Sequence, residues 1–248
     1  MNLEKLIKGL EEVRENDVVL YCFPYAGGGA SVFRNWKYKL GDSVKVCPIQ
    51  LPGREERISE NPYVNMDVLA EDLADIIASR NNEFIIFGHS MGTKIAYEVE
   101  KRLEIMGRIA KLLIVSGGRA PHIPEPSPIY NLSDDEFKQG IIRFNGMPKE
   151  IIQNKELFEF FLPVMRADFT LDESYKLEDA KILKSPIMAL WGKEDKEGNF
   201  EEIIKWKEYT ESHFKECSFQ GEHFFIKVDE KSVLQEIKKQ ISICNRNL

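Results

Sequence analysis

Gly88-His89-Ser90-Met91-Gly92 is the stretch of this chain with the plainest chemical use. A serine hydroxyl is a weak nucleophile. It serves acyl transfer when a base takes its proton and N–H groups receive the charge that develops on the carbonyl oxygen. It must also be presented clear of its own backbone. The surrounding sequence arranges that. Phe84-Ile85-Ile86-Phe87 reads as a buried strand. Ile95, Ala96, Val99, Leu103 and Met106 then fall on one helical face. Strand, Gly-x-Ser-x-Gly and helix form the context of a nucleophile elbow. Gly88 and Gly92 let the strand and helix backbones pass closely, and Ser90 is pushed out over a helix N-terminus that favours negative charge.

The partners such a serine needs can be sought after the other strands. Val18–Phe23 is a continuous apolar run ending in Pro24-Tyr25-Ala26-Gly27-Gly28-Gly29-Ala30. That loop fits neither dinucleotide nor Walker spacing. It fits an oxyanion loop, with Ala26 supplying one amide and Met91, directly after the serine, the other. Among the histidines, His89 lies inside the elbow and points away from the serine oxygen. His122 lies in a proline-rich connector, and His213 has no loop signal. His223, in Gly-Glu-His-Phe-Phe after the last strand, is the candidate base. Asp195, in the turn after Pro186–Trp191, is the candidate acid, with adjacent Glu194 and the more distant Asp179 as rivals. The order Ser90, Asp195, His223 is that of α/β-hydrolases. His223 would take the Ser90 proton while Asp195 holds the imidazole tautomer.

The elements that position these residues alternate between strand and helix, which implies an α/β fold: a mostly parallel central sheet with helices on both faces. Residues 3–14 place Leu3, Leu6, Ile7, Leu10 and Val13 on one helical face, either docking outward or packing inward. Ser31–Leu40 reads as a helix made basic by Arg34, Lys37 and Lys39, a patch suited to an acidic partner. Val44–Leu51 is a strand whose Pro48 belongs at its C-terminal end. Pro52–Arg57 alternates charge, either to hold a substrate or partner or to bridge itself. Helix patterns follow at 65–80 and, after the strand Lys111–Val115 and a run of prolines, across 133–170. The last of these interrupts the alternation, so a helical lid insertion over about 122–180 is expected within a single 1–248 domain. Phe137, Ile141, Phe144, Met147, Leu157, Phe158, Phe160, Phe161 and Met165 would line an acyl channel or form the insertion's own core. Helix signals at Ile203–Trp206 and 229–243 flank the last strand, Phe214–Phe219.

Composition narrows the function classes. A net charge of −7 without a basic block disfavours nucleic acid. The longest apolar runs are strand-sized, so no membrane association is expected. The four cysteines have neither metal nor disulfide-framework spacing, which fits reduced thiols in a cytoplasmic protein.

The chain resembles the type II thioesterases of nonribosomal peptide and polyketide synthesis, which share the α/β-hydrolase fold. The resemblance rests on FPYAGGGA (23–30), QLPGREER (50–57), FGHSMG (87–92), SGGRAPH (116–122), LPVMRADFTLDESY (162–175) and GEHFF (221–225), and so spans nearly the whole chain. After Asp195 the chain reads Lys-Glu-Gly-Asn, where relatives have a more apolar continuation, and the segment 3–14 lies outside the matching region. The resemblance implies a Ser90, Asp195, His223 triad and oxyanion amides at Ala26 and Met91. It implies hydrolysis of acyl thioesters on the phosphopantetheine arm of acyl or peptidyl carrier proteins by a monomer. No resident cofactor or metal is implied, because phosphopantetheine enters with the substrate. Rival expectations are a chain-terminating medium-chain fatty acyl thioesterase, a generic carboxylesterase, and a non-catalytic receptor of the same fold.

Overall fold

The computed structural model describes residues 3–144, 146 and 148–244; Met147, expected among the insertion's apolar residues, lies outside them. Six strands, β1 (Val19–Phe23), β2 (Lys45–Pro48), β3 (Phe84–His89), β4 (Leu113–Ser116), β5 (Ile187–Gly192) and β6 (Phe214–Phe219), form one sheet in the order β2-β1-β3-β4-β5-β6. Every neighbouring pair is parallel. A parallel sheet needs crossovers, and the helices that supply them cover both faces.

Alternate residues of each strand therefore enter different cores. Val19, Tyr21, Phe23, Phe84 and Ile86 pack beneath α2 (Met66–Ala78) and α3 (Met91–Ile105). Leu20, Cys22, Ile85 and Phe87 pack against the helix Glu230–Cys244 and against Trp36 and Leu40 of the short helix α1 (Trp36–Leu40). Such two-sided burial explains why the central strands read as unbroken apolar runs. Between β4 and β5 the chain adds α4 (Asp134–Arg143), α5 (Lys149–Gln153) and α6 (Lys155–Glu173). A capping box of Ser133 and Glu136 starts α4. Phe137, Ile141, Phe158, Val164, Met165 and Phe169 form a third core belonging to these helices, while Leu157 and Phe160 face outward.

Three segments differ from the sequence reading. Residues 3–14 do not form an α-helix. They form two 3₁₀ turns, Leu3–Leu6 and Leu10–Glu12, separated by Gly9 at φ 79°. Ile7 bridges Ile49 in antiparallel fashion, Lys8 donates to the Pro48 carbonyl at 2.9 Å, and Gln50 donates to Leu6 at 2.8 Å. The unpaired edge of β2 thus recruits this segment, outweighing its helical periodicity. Ser31–Leu40 splits into a 3₁₀ turn, Ala30–Phe33, and α1. The helix signal around Ile203–Trp206 likewise becomes α7 (Phe200–Ile203) followed by a 3₁₀ segment, Ile204–Tyr209.

Buried carboxyl groups make stability pH-dependent. Glu100 on α3 has no solvent exposure; its Oε1 accepts from Ala110 N–H at 2.9 Å. Burial raises its carboxyl to about 8, and Glu104 adds to the rise. The folded chain thus holds a proton that the unfolded chain releases near 4.5. This contribution to stability is complete below that pH and is lost as pH rises through about 8. Glu173, raised by burial to about 7, acts in an overlapping window. Glu100→Gln keeps the acceptor for Ala110 without the titration. Its urea-unfolding free energy should therefore fall less steeply than the parent's between pH 6 and 9, whereas parallel slopes would refute the assignment.

Candidate active site

The sheet order places a topological switch between β1 and β3, where connections leave in opposite directions and the strands' carboxyl ends open a crevice. Phe23 of β1 aligns with Gly88 of β3, so the loops that follow them emerge side by side. Ser90 stands at the mouth of this crevice with φ 55° and ψ −122°, a conformation non-glycine residues rarely adopt. The surroundings hold it there. Ser90 N–H donates to the Ser116 carbonyl at 2.8 Å, and the Thr93 hydroxyl donates to the Ser90 carbonyl at 2.7 Å. A methyl group at Gly88 would overlap the Gly92 carbonyl, and one at Gly92 would overlap the carbonyls of Phe23 and Pro24. Only hydrogen at both positions permits strand and helix to meet this closely.

His223 and Asp195 reach Ser90 from the far side of the sheet. His223 Nε2 lies 2.8 Å from Ser90 Oγ, and His223 Nδ1 lies 3.0 Å from Asp195 Oδ2. His223 and Asp195 are both buried, at 6% and 5% exposure. Asp195 Oδ1 accepts from the amides of Glu197 at 2.8 Å and Gly198 at 3.2 Å. The polar Lys-Glu-Gly continuation therefore folds back to orient the carboxylate, as aspartates do in turns. Glu194, the rival acid, is exposed and accepts from Gly221 N–H at 2.6 Å. Asp179 is exposed, and its carbonyl accepts from Lys101.

The other histidines have separate partners. His89 is fully buried with Nδ1 3.0 Å from Ser116 Oγ, and its ring centroid lies 5.3 Å from that of His223. Burial, followed by the nearby charges of His223 and Lys227, pushes His89 well below its ordinary range. It therefore stays neutral beside the His223 ring. His122 stacks on Tyr209 with Nδ1 2.8 Å from its hydroxyl, and His213 is exposed.

Ala26 borders the crevice opposite the start of α3. It lies in a turn closed by Gly28 N–H to Tyr25 carbonyl at 2.8 Å, with Gly27 at φ 78° in the third position, as a type II turn requires. Met91 is the first residue of α3, so its amide has no acceptor within the helix. Beside Ser90 opens a recess of about 340 Å³ walled by Tyr25, Phe144, Phe161, Met165, Phe169 and Phe224. A smaller recess of about 30 Å³ opens beside Ser90 and His223 and is polar, bordered by Lys94, Arg119 and Glu197. Two features were not foreseen from sequence. Lys94, one turn after Ser90, pairs with Asp172 of α6 at 2.8 Å. Arg54, in the loop expected to hold a ligand or bridge itself, turns inward to Asp168. Arg34 and Lys37 border an exposed groove that also carries Glu11, Glu12 and Glu55, while Lys39 pairs with Glu230, so the expected basic patch is partly neutralised.

Residues 19–241 match the family model described as a thioesterase domain. The chain belongs to the thioesterase family. The chain is 35% identical over 233 residues to the protein named linear gramicidin dehydrogenase LgrE of Brevibacillus parabrevis, covering 92% of this chain and 89% of that one. That relative's name denotes redox chemistry, but the glycine loop here lacks dinucleotide spacing and faces a serine elbow. RedJ, the thioesterase from the prodiginine pathway of Streptomyces coelicolor, superposes with a TM-score of 0.85 at 35% identity, covering 91% of this chain and 86% of that one. YbtT, a type II thioesterase from the yersiniabactin pathway, gives a TM-score of 0.84 at 29% identity, covering 94% and 96%. This thioesterase thus shares the α/β-hydrolase architecture of its relatives. Among its described residues, no helix is long and apolar enough to cross a membrane.

The elbow's tolerance can be measured directly. Gly92→Ala should destabilise the fold by about 3 kcal/mol through overpacking, lowering the melting temperature by roughly 6–12 °C for a chain of this size. An unchanged melting temperature would mean that strand and helix do not touch at this point.

Proposed function

We propose that the enzyme hydrolyses acyl thioesters carried on the phosphopantetheine arm of carrier proteins, clearing misprimed or stalled chains in nonribosomal peptide or polyketide synthesis. The observation that carries this reading is the continuous chain of contacts from Ser90 Oγ to His223 at 2.8 Å and on to Asp195 at 3.0 Å, at the edge of an apolar recess. The names of relatives support the same reading: AngT of Vibrio anguillarum is called a probable anguibactin biosynthesis thioesterase, and YbtT a type II thioesterase from a nonribosomal peptide/polyketide pathway.

In this mechanism Ser90 Oγ attacks the thioester carbonyl as its proton passes to His223 Nε2. Asp195 holds the Nδ1 proton and offsets the charge of the imidazolium. The oxyanion is received by the amides of Ala26 and Met91, the latter aided by the helix N-terminus. Collapse breaks the carbon–sulfur bond, and His223 returns its proton to the departing thiol. Water then enters beside His223, gives up a proton to Nε2 and attacks the acyl-serine carbonyl. The released acid leaves Ser90 reprotonated. The polar recess next to Lys94 is a suitable entry for that water, since a volume near 30 Å³ admits one or two molecules. The phosphopantetheine belongs to the substrate, so the chemistry calls for no resident cofactor or metal. Helices α4–α6 act as a lid within a single domain, and their Phe144, Phe161 and Met165 meet the acyl chain.

The size of the recess favours one further reading. About 340 Å³ exceeds what an acetyl group fills, and a medium-chain fatty acyl thioesterase of Rattus norvegicus is 29% identical over 97% of this chain. A chain-terminating role on fatty acyl carriers is therefore the second reading. In either case all four cysteines are free, and burial raises the thiols above their ordinary range, which suits a reducing cytoplasm. The enzyme is proposed to act there as a monomer.

Two measurements test these assignments. Ser90→Ala should lower kcat on acetyl-carrier protein by on the order of 10⁴-fold or more with the melting temperature preserved; retained turnover would sink the elbow mechanism. Phe161→Ala should lower kcat/KM for octanoyl-carrier by roughly 10-fold while barely changing that for acetyl-carrier. Equal losses on both would remove the lid from acyl recognition, and the wild-type chain-length profile separates editing from chain termination.

A further inference from the structure

Three of the segments that carry the family resemblance, 23–30, 50–57 and 162–175, converge on one buried ion pair. Arg54 Nη1 lies 2.6 Å from Asp168 Oδ2, and Arg54 Nη2 lies 2.7 Å from Asp168 Oδ1, a two-pronged fork. Arg54 is 4% exposed and Asp168 is not exposed at all. Arg54 Nε and Nη2 also donate to the Pro52 carbonyl at 3.3 Å, and both side chains reach the loop that follows β1. Asp168 Oδ2 accepts from Gly27 N–H at 2.6 Å, and Arg54 Nη1 donates to the Gly28 carbonyl at 3.0 Å. Gln50, from the same segment as Arg54, holds the loop's far end, its Oε1 accepting from Ala30 N–H at 2.8 Å.

Stability alone gives little reason for this arrangement. Desolvating two charges costs about as much as their attraction returns, and apolar side chains of similar volume often do as well or better. An apolar pair could not offer a directed acceptor to Gly27 and a directed donor to Gly28. That direction is needed because Gly27, Gly28 and Gly29 are consecutive, and glycine backbone has more accessible conformations than any other. A free loop of this composition would spread the Ala26 N–H over many orientations. An oxyanion donor is effective only when it is already placed about 3 Å from where the charge will develop.

We propose that Arg54 and Asp168 are positioning residues: Asp168 from α6 and Arg54 from the loop after β2 lock the glycine turn so that the Ala26 amide faces the oxyanion formed at Ser90. The inference rests on the acyl-transfer reading and assigns the 50–57 loop and the α6 carboxylate a part in transition-state stabilisation. Asp168 does not border the recess beside Ser90, and Arg54 borders it at 4% exposure. Both act through the backbone of residues 26–28.

The test compares Asp168→Asn, which breaks the ion pair while keeping its shape, with the double variant Arg54→Met/Asp168→Leu, which leaves no buried charge unpaired. Steady-state kinetics on acetyl-carrier protein are measured with thermal melts and with the affinity for an alkyl boronic acid, whose adduct on the serine mimics the tetrahedral state. Both variants should show kcat reduced about 100-fold, as for loss of one oxyanion donor, KM changed by less than about 2-fold, and boronate affinity falling in parallel with kcat. The double variant should melt close to wild type, separating positioning from folding. A double variant that folds and turns over at the wild-type rate overturns the proposal, as does a rise in KM with kcat unchanged. Failure of the underlying mechanism looks different: the unaltered chain would then form no acyl-enzyme at Ser90 by mass spectrometry, which overturns both readings together.

Discussion

Backbone-to-backbone contact at Gly88 and Gly92 is the constraint on which the rest of the site depends. Because neither residue carries a side chain, α3 begins directly against the end of β1, and the loop after β1 is brought over Ser90. The strain at Ser90 is then held in place by bonds to Ser116 and Thr93 on neighbouring elements. A larger residue at either glycine would separate strand from helix and move both the Ser90 hydroxyl and the loop after β1. The apolar cores on each sheet face supply the stability that such a locally unfavourable turn requires.

Distance across the sheet sets the second requirement. The strands carrying Asp195 and His223 are β5 and β6, at the opposite end from β1. Their loops bend back toward β3, and another pair of glycines allows it: a methyl group at Gly192 would meet the carbonyls of Gly221 and Glu222. Charge is distributed to match. His89, packed between Tyr25, Phe224 and Phe225, is held neutral, so the His223 ring faces the Asp195 carboxylate without a cationic imidazole beside it.

Much of this was legible in the sequence because it is local. The position along the chain of each of the six strands found among the described residues followed from apolar runs and the turn residues after them, and β6 coincides with the expected Phe214–Phe219, whereas their order across the sheet did not. That Ser90, Asp195 and His223 would emerge at one edge of the sheet followed from each lying just beyond a strand. What sequence did not reveal depends on contacts between distant segments. Arg54 and Asp168 are 114 residues apart, and nothing local to either shows that they pair or that both grip the glycine loop. Residues 3–14 misled for a related reason. Their helical spacing is real, but Gly9 and the open edge of β2 offered hydrogen bonds that a free-standing helix would forgo.

The core formed by Phe137, Ile141, Phe158, Val164, Met165 and Phe169 belongs to α4–α6 and is separate from the two that sandwich the sheet. Its Met165 and Phe169 also wall the recess beside Ser90, so changes in it reach the site while leaving the packing of the sheet alone. The insertion can therefore diversify as a cassette: its interior can be resized over evolutionary time, or exchanged between relatives, without re-solving the packing problem of the sheet. The carboxylate of Asp168 marks the limit of that freedom, since any replacement cassette must still deliver an acceptor to Gly27.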